Sequence, residues 1–537
     1  QVRFESSMSP GTRLLFCTSG ILLRRLHSDP SLEGVRVLVV DEIHERDCNS
    51  DFIMIILKQL LAYTRLDLKL ILMSATVEAG QFQHYFKDVN PGGLPPVLQI
   101  EGTTHPVDQY FLEDAVEWTR YEYDKRDGFK SGKRKFEDMV GAERGVPNMN
   151  PAQRLTELSK AYKEWSAETG TKYSDRTLGV VAQIDCDDLV CMQFDLIVEL
   201  CVYWTNAQTP GAILIFVPGW GEIKAIMTRL QQHHLKDYWT VYPLHSQVSS
   251  REQQMVFHPP PNGTRKIIIS TNIAESSVTI SDVVFVIDTG VKKEKTYAPA
   301  TNMPCLDAAL VAKANALQRK GRAGRCQHGV CVHLFSRMRW KDLDDYQQPE
   351  ILRTPLEELC LQIKMLNLGG IAEFLKHAMH PPPKASVDYA ITMLQDIQAL
   401  DSEQYLTHLG KLLASLPVHP LVGKMLIYGA LFQVIDPVAV IAASLTTKSA
   451  FVLPSDRRHD ADLDRRFLGQ ERQSDHYAQW QAYRGWESAS NQGYERHYCD
   501  QHHLSITVLQ MIKRTKSQFI KTLLDAGFVK PSANSGD

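Results

Sequence analysis

No two of the ten cysteines form a Cys-x-x-Cys pair, and they are scattered from Cys17 to Cys499, so neither a disulfide framework nor a zinc ribbon can be read from them. The nearest metal-like grouping is Cys326, His328, Cys331 and His333. It falls on a strand-like run, Val330 to Phe335, and a core-and-surface alternation fits it better than zinc. Free thiols in a reducing compartment are the expectation. A charge excess is also lacking: 59 basic residues meet 62 acidic ones, for a net charge of −3. A nucleic-acid partner therefore cannot be argued from overall charge, and any basic surface must be local. The first residues, Gln1-Val2-Arg3-Phe4-Glu5, show no charged-then-apolar leader. The longest apolar stretch, Leu421 to Leu445, is interrupted by Lys424 and Asp436-Pro437 and reads as two buried helices. No internal repeat of roughly 20–50 residues stands out. The expectation is a soluble intracellular protein without a membrane partner, in the cytoplasm rather than the nucleus.

What is present is α/β patterning followed by helix. At 537 residues the chain is long enough for about three or four domains. Over 1–105 a helix is predicted at Gly20 to His27, a strand at Val35 to Val40, an amphipathic helix at Ser50 to Tyr63 and a strand at Leu68 to Met73. Short apolar strands alternating with helices predict a parallel sheet covered on both faces. Asp114 to Asp185 is polar, with the basic residues Lys125, Arg126, Lys130, Lys133, Arg134 and Lys135. It reads as an insertion, part helical (Pro151 to Ala167) and part mobile. The alternation resumes with a helix at Asp187 to Trp204, a strand at Ala212 to Val217, a helix at Gly221 to Gln232, and strands at Lys266 to Ser270 and Val283 to Ile287. From Thr354 onward the pattern is almost wholly helical, with prolines as punctuation.

Two motifs carry the chemistry. Asp41-Glu42-Ile43-His44 follows the apolar run Val35 to Val40, so two adjacent carboxylates stand at the C-terminal end of a strand. Asp41 can hold Mg²⁺ through a water, Glu42 can polarise an attacking water as general base, and His44 can relay to the rest of the site. Ser74-Ala75-Thr76, at the end of the next strand, offers small hydroxyls for that relay. Gln318-Arg319-Lys320-Gly321-Arg322-Ala323-Gly324-Arg325 sets arginines among glycines that let the backbone bend tightly, a form suited to the charge spread in phosphoryl transfer. Thr271 to Ile280 also follows a strand, and its hydroxyl and amide groups can present donors to a phosphate backbone. Together these point to nucleotide hydrolysis.

In this order and spacing the set resembles the superfamily 2 RNA helicases of the DEAH/RHA (DExH-box) group, in the RNA helicase A/maleless-like branch. Asp41 to His44 stands as motif II, Ser74 to Thr76 as motif III, Thr271 to Ile280 as motif V and Gln318 to Arg325 as motif VI. Thr18-Ser19-Gly20 matches the RNA-contacting motif Ib, and Pro243-Leu244-His245-Ser246 resembles the segment between motifs IV and V. The likeness runs on through Arg353 to Leu359 and to Gly527-Phe528.

The resemblance implies two RecA-like parallel-sheet domains with ATP in the cleft between them, then α-helical winged-helix and ratchet domains. On this chain they fall at 1–105 (the C-terminal part of the first RecA-like domain), 186–352, 353–420 and 421–537, with the insertion at 114–185. It implies Arg322 and Arg325 as arginine fingers, Gln318 orienting the water, Asp282 at the ribose and Phe257 on the base. Thr18, Ser19, Gly20, His245, Thr271 and Asn272 would lie along RNA, and Ser74 and Thr76 would couple the two activities. ATP and Mg²⁺ are the implied cofactors, RNA is the partner, with DNA or an RNA–DNA hybrid open as alternatives, and no protein partner is named. The implied activity is 3′→5′ translocation and unwinding driven by NTP hydrolysis; a non-catalytic RNA-binding scaffold is the competing expectation.

The family's phosphate loop, Gly-x-x-x-x-Gly-Lys-[Ser/Thr], has no counterpart here. Gly128-Phe129-Lys130-Ser131-Gly132-Lys133-Arg134 is one residue short between glycines and has Arg134 where a hydroxyl belongs. The expectation is a chain truncated at both ends relative to the family, and inactive alone.

Overall fold

The computed structural model describes residues 9, 11–75, 79–100, 105–124, 151–171, 173–186, 192–246, 248, 250–261, 263–275, 279–298, 303–416, 418–447, 449–452, 458–470 and 472–529. The chain divides into two compact units. One comprises Gln1–Pro96, Tyr297–Met303 and Pro349–Asp537; the other comprises Val97–Thr296 and Pro304–Gln348.

In the first unit, β1 (Val37–Val40) and β2 (Lys69–Leu72) pair in parallel, Val37 opposite Lys69 and Val40 opposite Leu72. The helix Cys48–Gln59 between them is capped by Asp47, whose carboxylate accepts from the amides of Asn49 and Ser50 at 3.1 and 3.0 Å. Its residues Phe52 to Leu57 are all buried. Arg65 then closes the unit's first part by donating to the carbonyls of Ser31, Leu32 and Val35.

One hydrophobic core runs from Leu23 and Phe52 through Phe374, Leu394 and Leu426 to Trp486 and Leu523. Phe52 meets Phe374 edge-on at 5.6 Å, and the buried Arg46–Asp51 pair (2.8 Å) reaches His380 Nδ1 at 3.0 Å. The helical C-terminal part therefore supplies the apolar cover that the helix Cys48–Gln59 needs. The apolar stretch from Leu421 forms two helices, Pro420–Leu431 and Ile435–Thr446, and among the described residues no single helix is long and apolar enough to cross a membrane.

The second unit is built on six strands, all parallel, in the order β3-β10-β7-β4-β6-β5. They are β3 (Val107–Tyr110), β4 (Ala212–Phe216), β5 (Trp239–Leu244), β6 (Arg265–Ser270), β7 (Val283–Asp288) and β10 (Gly329–His333). A separate two-stranded sheet joins β8 (Val291–Ala298) to β9 (Met303–Leu310). Alternate residues serve opposite faces: Ile213, Ile215, Ile267, Ile269 and Ile287 enter one core cluster, and Leu214, Phe216, Ile268 and Val286 another. The helix expected at Asp187 to Trp204 is described from Phe194 to Asn206.

The segment expected as an insertion, 114–185, is described in part, and the helix expected at Pro151 to Ala167 is present at Pro151–Thr169. Its described residues form part of the helix Leu112–Thr119, then Pro151–Thr169 and most of Asp175–Cys186. Ala115, Val116, Tyr162, Trp165, Leu178 and Val181 are buried in the same core as the sheet. Their apolar residues recur at helical spacing within a polar composition, so composition alone hid an amphipathic face. The basic residues Lys125 to Lys135 lie outside the described residues.

Candidate functional site

In the first unit the chain leaves β1 at Asp41, whose carboxylate accepts the Glu42 amide at 2.8 Å. Glu42 sits in the left-handed region, φ 54°, and opens a short 3₁₀ turn over Ile43–Glu45. For a non-glycine residue that backbone is strained and marks a position held by its surroundings. The holding contact is the Ile43 amide donating to the Met73 carbonyl at 3.1 Å, just beyond β2. Asp41 and Glu42 are both exposed, and His44 is folded inward with 6% of its side chain exposed. Its Nδ1 accepts from the Ala75 amide at 3.3 Å and its Nε2 lies 3.4 Å from Glu42 Oε2. Because Nδ1 accepts, the ring proton belongs on Nε2, toward the carboxylate. His44 thus lies between Glu42 and the Ala75 amide, while Thr76 lies outside the described residues. Thr18 caps the helix Ser19–Ser28 with extended backbone, leaving Thr18 and Gly20 exposed at its N-terminus and Ser19 half-buried.

Two hard oxygen ligands beside an open face suit a cation that keeps most of its waters, so Asp41 and Glu42 fit Mg²⁺ bound with a phosphate. Among the described residues no group of three or more His, Cys, Asp or Glu is placed to hold a metal. Cys331 and His333 are both buried on β10, whereas Cys326 is exposed.

In the second unit the predicted residues sort to opposite edges of one sheet. His245 follows β5, and Thr271 and Asn272 follow β6, all at the C-terminal edge where parallel sheets present their loops. Asn272 is exposed and His245 half-buried, while Thr271 is turned inward at 8% exposure. Sequence reasoning missed Trp220, whose ring lies 5.5 Å from that of His245. The signal was available in Val217-Pro218-Gly219-Trp220, an aromatic directly after a strand and a turn.

Phe257 and Asp282 precede β6 and β7 at the opposite edge. Phe257 is 49% exposed. Lys266 Nζ contacts Asp282 Oδ2 and the carbonyl of Val256, the residue before Phe257, each at 2.8 Å. A cavity of about 750 Å³ opens beside them, lined in part by Pro259, Pro260, Thr264, Lys266 and Asp282.

Motif VI occupies the helix Lys313–Gly321 and the turn after it. The structure separates its arginines. Arg319 is buried, with its guanidinium on Glu275 Oε1 (2.6 Å) and Asp288 Oδ1 (2.6 Å) and over the Phe216 ring. Arg322 is buried as well and donates to the Glu275 carbonyl. Arg325 is exposed and reaches Thr279 Oγ1 at 3.4 Å, and Gln318 is half-buried. Asp288 also accepts from His333 Nδ1 at 2.9 Å. Burial alone would raise the Asp288 carboxyl, but Arg319 and His333 outweigh it and hold it down at about 2. Gly324 is required, since a Cβ there would meet the His105 carbonyl oxygen and Val107 Cγ2, both at 2.6 Å. Gly321 has open space and no left-handed backbone, so nothing around it requires a glycine.

A helicase architecture accounts for this arrangement, and comparison with known proteins agrees. The Helicase conserved C-terminal domain matches residues 192–327, the winged-helix part of the Helicase associated domain (HA2) matches 390–418, and its ratchet-like part matches 419–480. The chain belongs to the DExH-box helicases of superfamily 2. It is 46% identical over 539 residues to the ATP-dependent DNA/RNA helicase DHX36 of Mus musculus, covering 98% of this chain and 52% of that protein. It is 42% identical over 544 residues to the DExH-box ATP-dependent RNA helicase DExH1 of Arabidopsis thaliana, covering 99% and 52%. The ATP-dependent RNA helicase DHX29 of Mus musculus is 39% identical over 557 residues, with 98% of this chain and 39% of that protein covered. The chain spans about half the length of the first two relatives.

Proposed function

We propose that a protein carrying this chain is an ATP-dependent RNA helicase that couples NTP hydrolysis to 3′→5′ translocation and unwinding. The observation that carries the reading is His44, whose Nδ1 accepts the Ala75 amide beyond one strand while its Nε2 stands 3.4 Å from the Glu42 carboxylate beyond the other. In this reading Asp41 and Glu42 hold Mg²⁺, whose charge neutralises the phosphates, and Glu42 takes the proton of the attacking water. Gln318 orients that water. Arg325, exposed and permanently charged, meets the γ-phosphate, as does Arg322 once it gives up the Glu275 carbonyl. Phe257 offers its exposed ring to the base and Asp282 its carboxylate to the ribose. Thr18, Ser19, Gly20, His245, Thr271 and Asn272 track the nucleic-acid backbone, and Ser74 and Thr76 couple hydrolysis to movement. Backbone contacts of this kind carry little base information, so DNA or an RNA–DNA hybrid is an alternative substrate, in keeping with the similarity to the DNA/RNA helicase DHX36.

Glu42→Gln tests it in the full-length protein. The substitution removes the base while Asp41 keeps its charge for Mg²⁺, so kcat should fall by about 10²–10⁴-fold, far more than the affinity for Mg·nucleotide. Hydrolysis at the parental rate would remove Glu42 from the chemistry. Absence of any RNA-stimulated hydrolysis in the parental protein would favour a non-catalytic RNA-binding scaffold.

A further inference from the structure

Lys266 is the second residue of β6, and its side chain is 1% exposed. A buried ammonium is costly unless paired, and this one has two partners, each at 2.8 Å: the Val256 carbonyl and Asp282 Oδ2. Each partner adjoins or is a residue assigned above to the nucleoside. Val256 is followed by Phe257, and Asp282 carries the carboxylate. Asp282 Oδ1 is enclosed with no hydrogen-bond partner, while the side chain as a whole is 36% exposed. Its exposed part therefore excludes Oδ1 and leaves Oδ2, the oxygen Lys266 holds, as the one to meet a ligand. A carboxylate oxygen accepts along two directions, so Oδ2 can keep the ammonium and still accept a hydroxyl. The cavity of about 750 Å³ lined by Lys266, Asp282, Pro259 and Pro260 gives room on that side.

We propose that Lys266 is a positioning residue that fixes the Asp282 carboxylate for a ribose hydroxyl and sets it in register with the Phe257 ring, so that it determines how strongly the site prefers ribonucleotides. The inference rests on the reading of Asp282 and Phe257 as nucleoside contacts. Lys266 itself never touches the ligand. It restricts Asp282 to one rotamer by a charge-assisted bond and ties the end of the Ser250–Met255 helix to the start of β7.

The test measures equilibrium affinity of the full-length protein for Mg·ADP and Mg·2′,3′-dideoxy-ADP by calorimetry, and KM and kcat for ATP. The parental protein should bind ADP about tenfold more tightly than the dideoxy analogue. Lys266→Met should bring that ratio close to one, with affinity for the dideoxy analogue little changed, and should raise KM for ATP while leaving kcat at saturation. Lys266→Gln, which still donates to the Val256 carbonyl, carries the same expectation if the Met variant does not fold. Asp282→Asn should reproduce the lost preference. A parental ratio retained in the Lys266 variants but lost in Asp282→Asn overturns the role of Lys266. A parental ratio of one, unchanged by Asp282→Asn, overturns the ribose reading of Asp282 itself.

Discussion

Val39, in the middle of β1, is 48% exposed, whereas Ile215, in the middle of β4, is fully buried, although both stand in uninterrupted apolar strands of parallel sheets. The burial of β1 and β2 alternates, with Val37, Val39 and Ile71 outward and Leu38, Val40, Leu70 and Leu72 packed inward. In β4 and β7 every residue is buried. The second unit has helices against both faces of its sheet, and the described residues of the first cover only one. A continuous apolar run thus reports what a strand is suited to, and the neighbours decide how much of that burial is realised.

The largest expected break in the comparison is at Arg319. Arg319→Met leaves Asp288 and Glu275 buried without their shared cation and should cost the second unit about 3–5 kcal/mol in urea unfolding. Arg65→Met in the first unit removes bonds to carbonyls and to the exposed Asp67, and should cost clearly less. Next come the strands themselves. Ile215→Ala should lose about 2–5 kcal/mol and Val39→Ala about 0.5 kcal/mol or less. Equal losses would mean that the outer face of β1 and β2 is covered in solution.

The third expectation concerns pH. Burial raises the Glu113 carboxyl to about 7 against amide donors and Arg337. The folded second unit therefore binds a proton that the unfolded chain gives up near the ordinary value of 4.5. The contribution is full below 4.5 and is lost as pH rises to about 7, so Glu113→Gln should flatten the stability profile in that window. Asp288, held down at about 2, acts with opposite sign: its contribution is present above 3.8 and is lost as pH falls toward 2. The smallest effect is chemical. Cys17 and Cys326 are exposed and should be alkylated first, while Cys201, buried and pushed up to about 12, should react only on unfolding. Rapid labelling of Cys201 would show the second core opening.

The apolar strands were legible because their residues are enough to identify them: β4, β6 and β7 lie within a residue or so of the expected spans. β5 escaped, since Trp239-Thr240-Val241-Tyr242-Pro243-Leu244 mixes aromatic, polar and proline residues, and β8 escaped because Lys292, Lys293, Glu294 and Lys295 hide its period. The site residues could be found one motif at a time, but their contacts could not. Glu275 and Arg319, or Val256, Lys266 and Asp282, meet only through the sheet, and no spacing along the chain encodes that meeting. Lys266 in particular reads as an ordinary polar start to a strand until its two partners are seen.

β6 runs directly between the two edges of the second sheet that carry predicted site residues: Lys266 stands near its start and Thr271 directly follows its end. An extended strand rises about 3.3 Å per residue and hardly stretches, so the two positions are held about 17 Å apart. The strand is a ruler. Neither end can shift relative to the rest of the molecule without carrying the other by the same amount, so the nucleoside end and the backbone-gripping end of this unit keep a constant spacing through any motion that leaves the sheet intact.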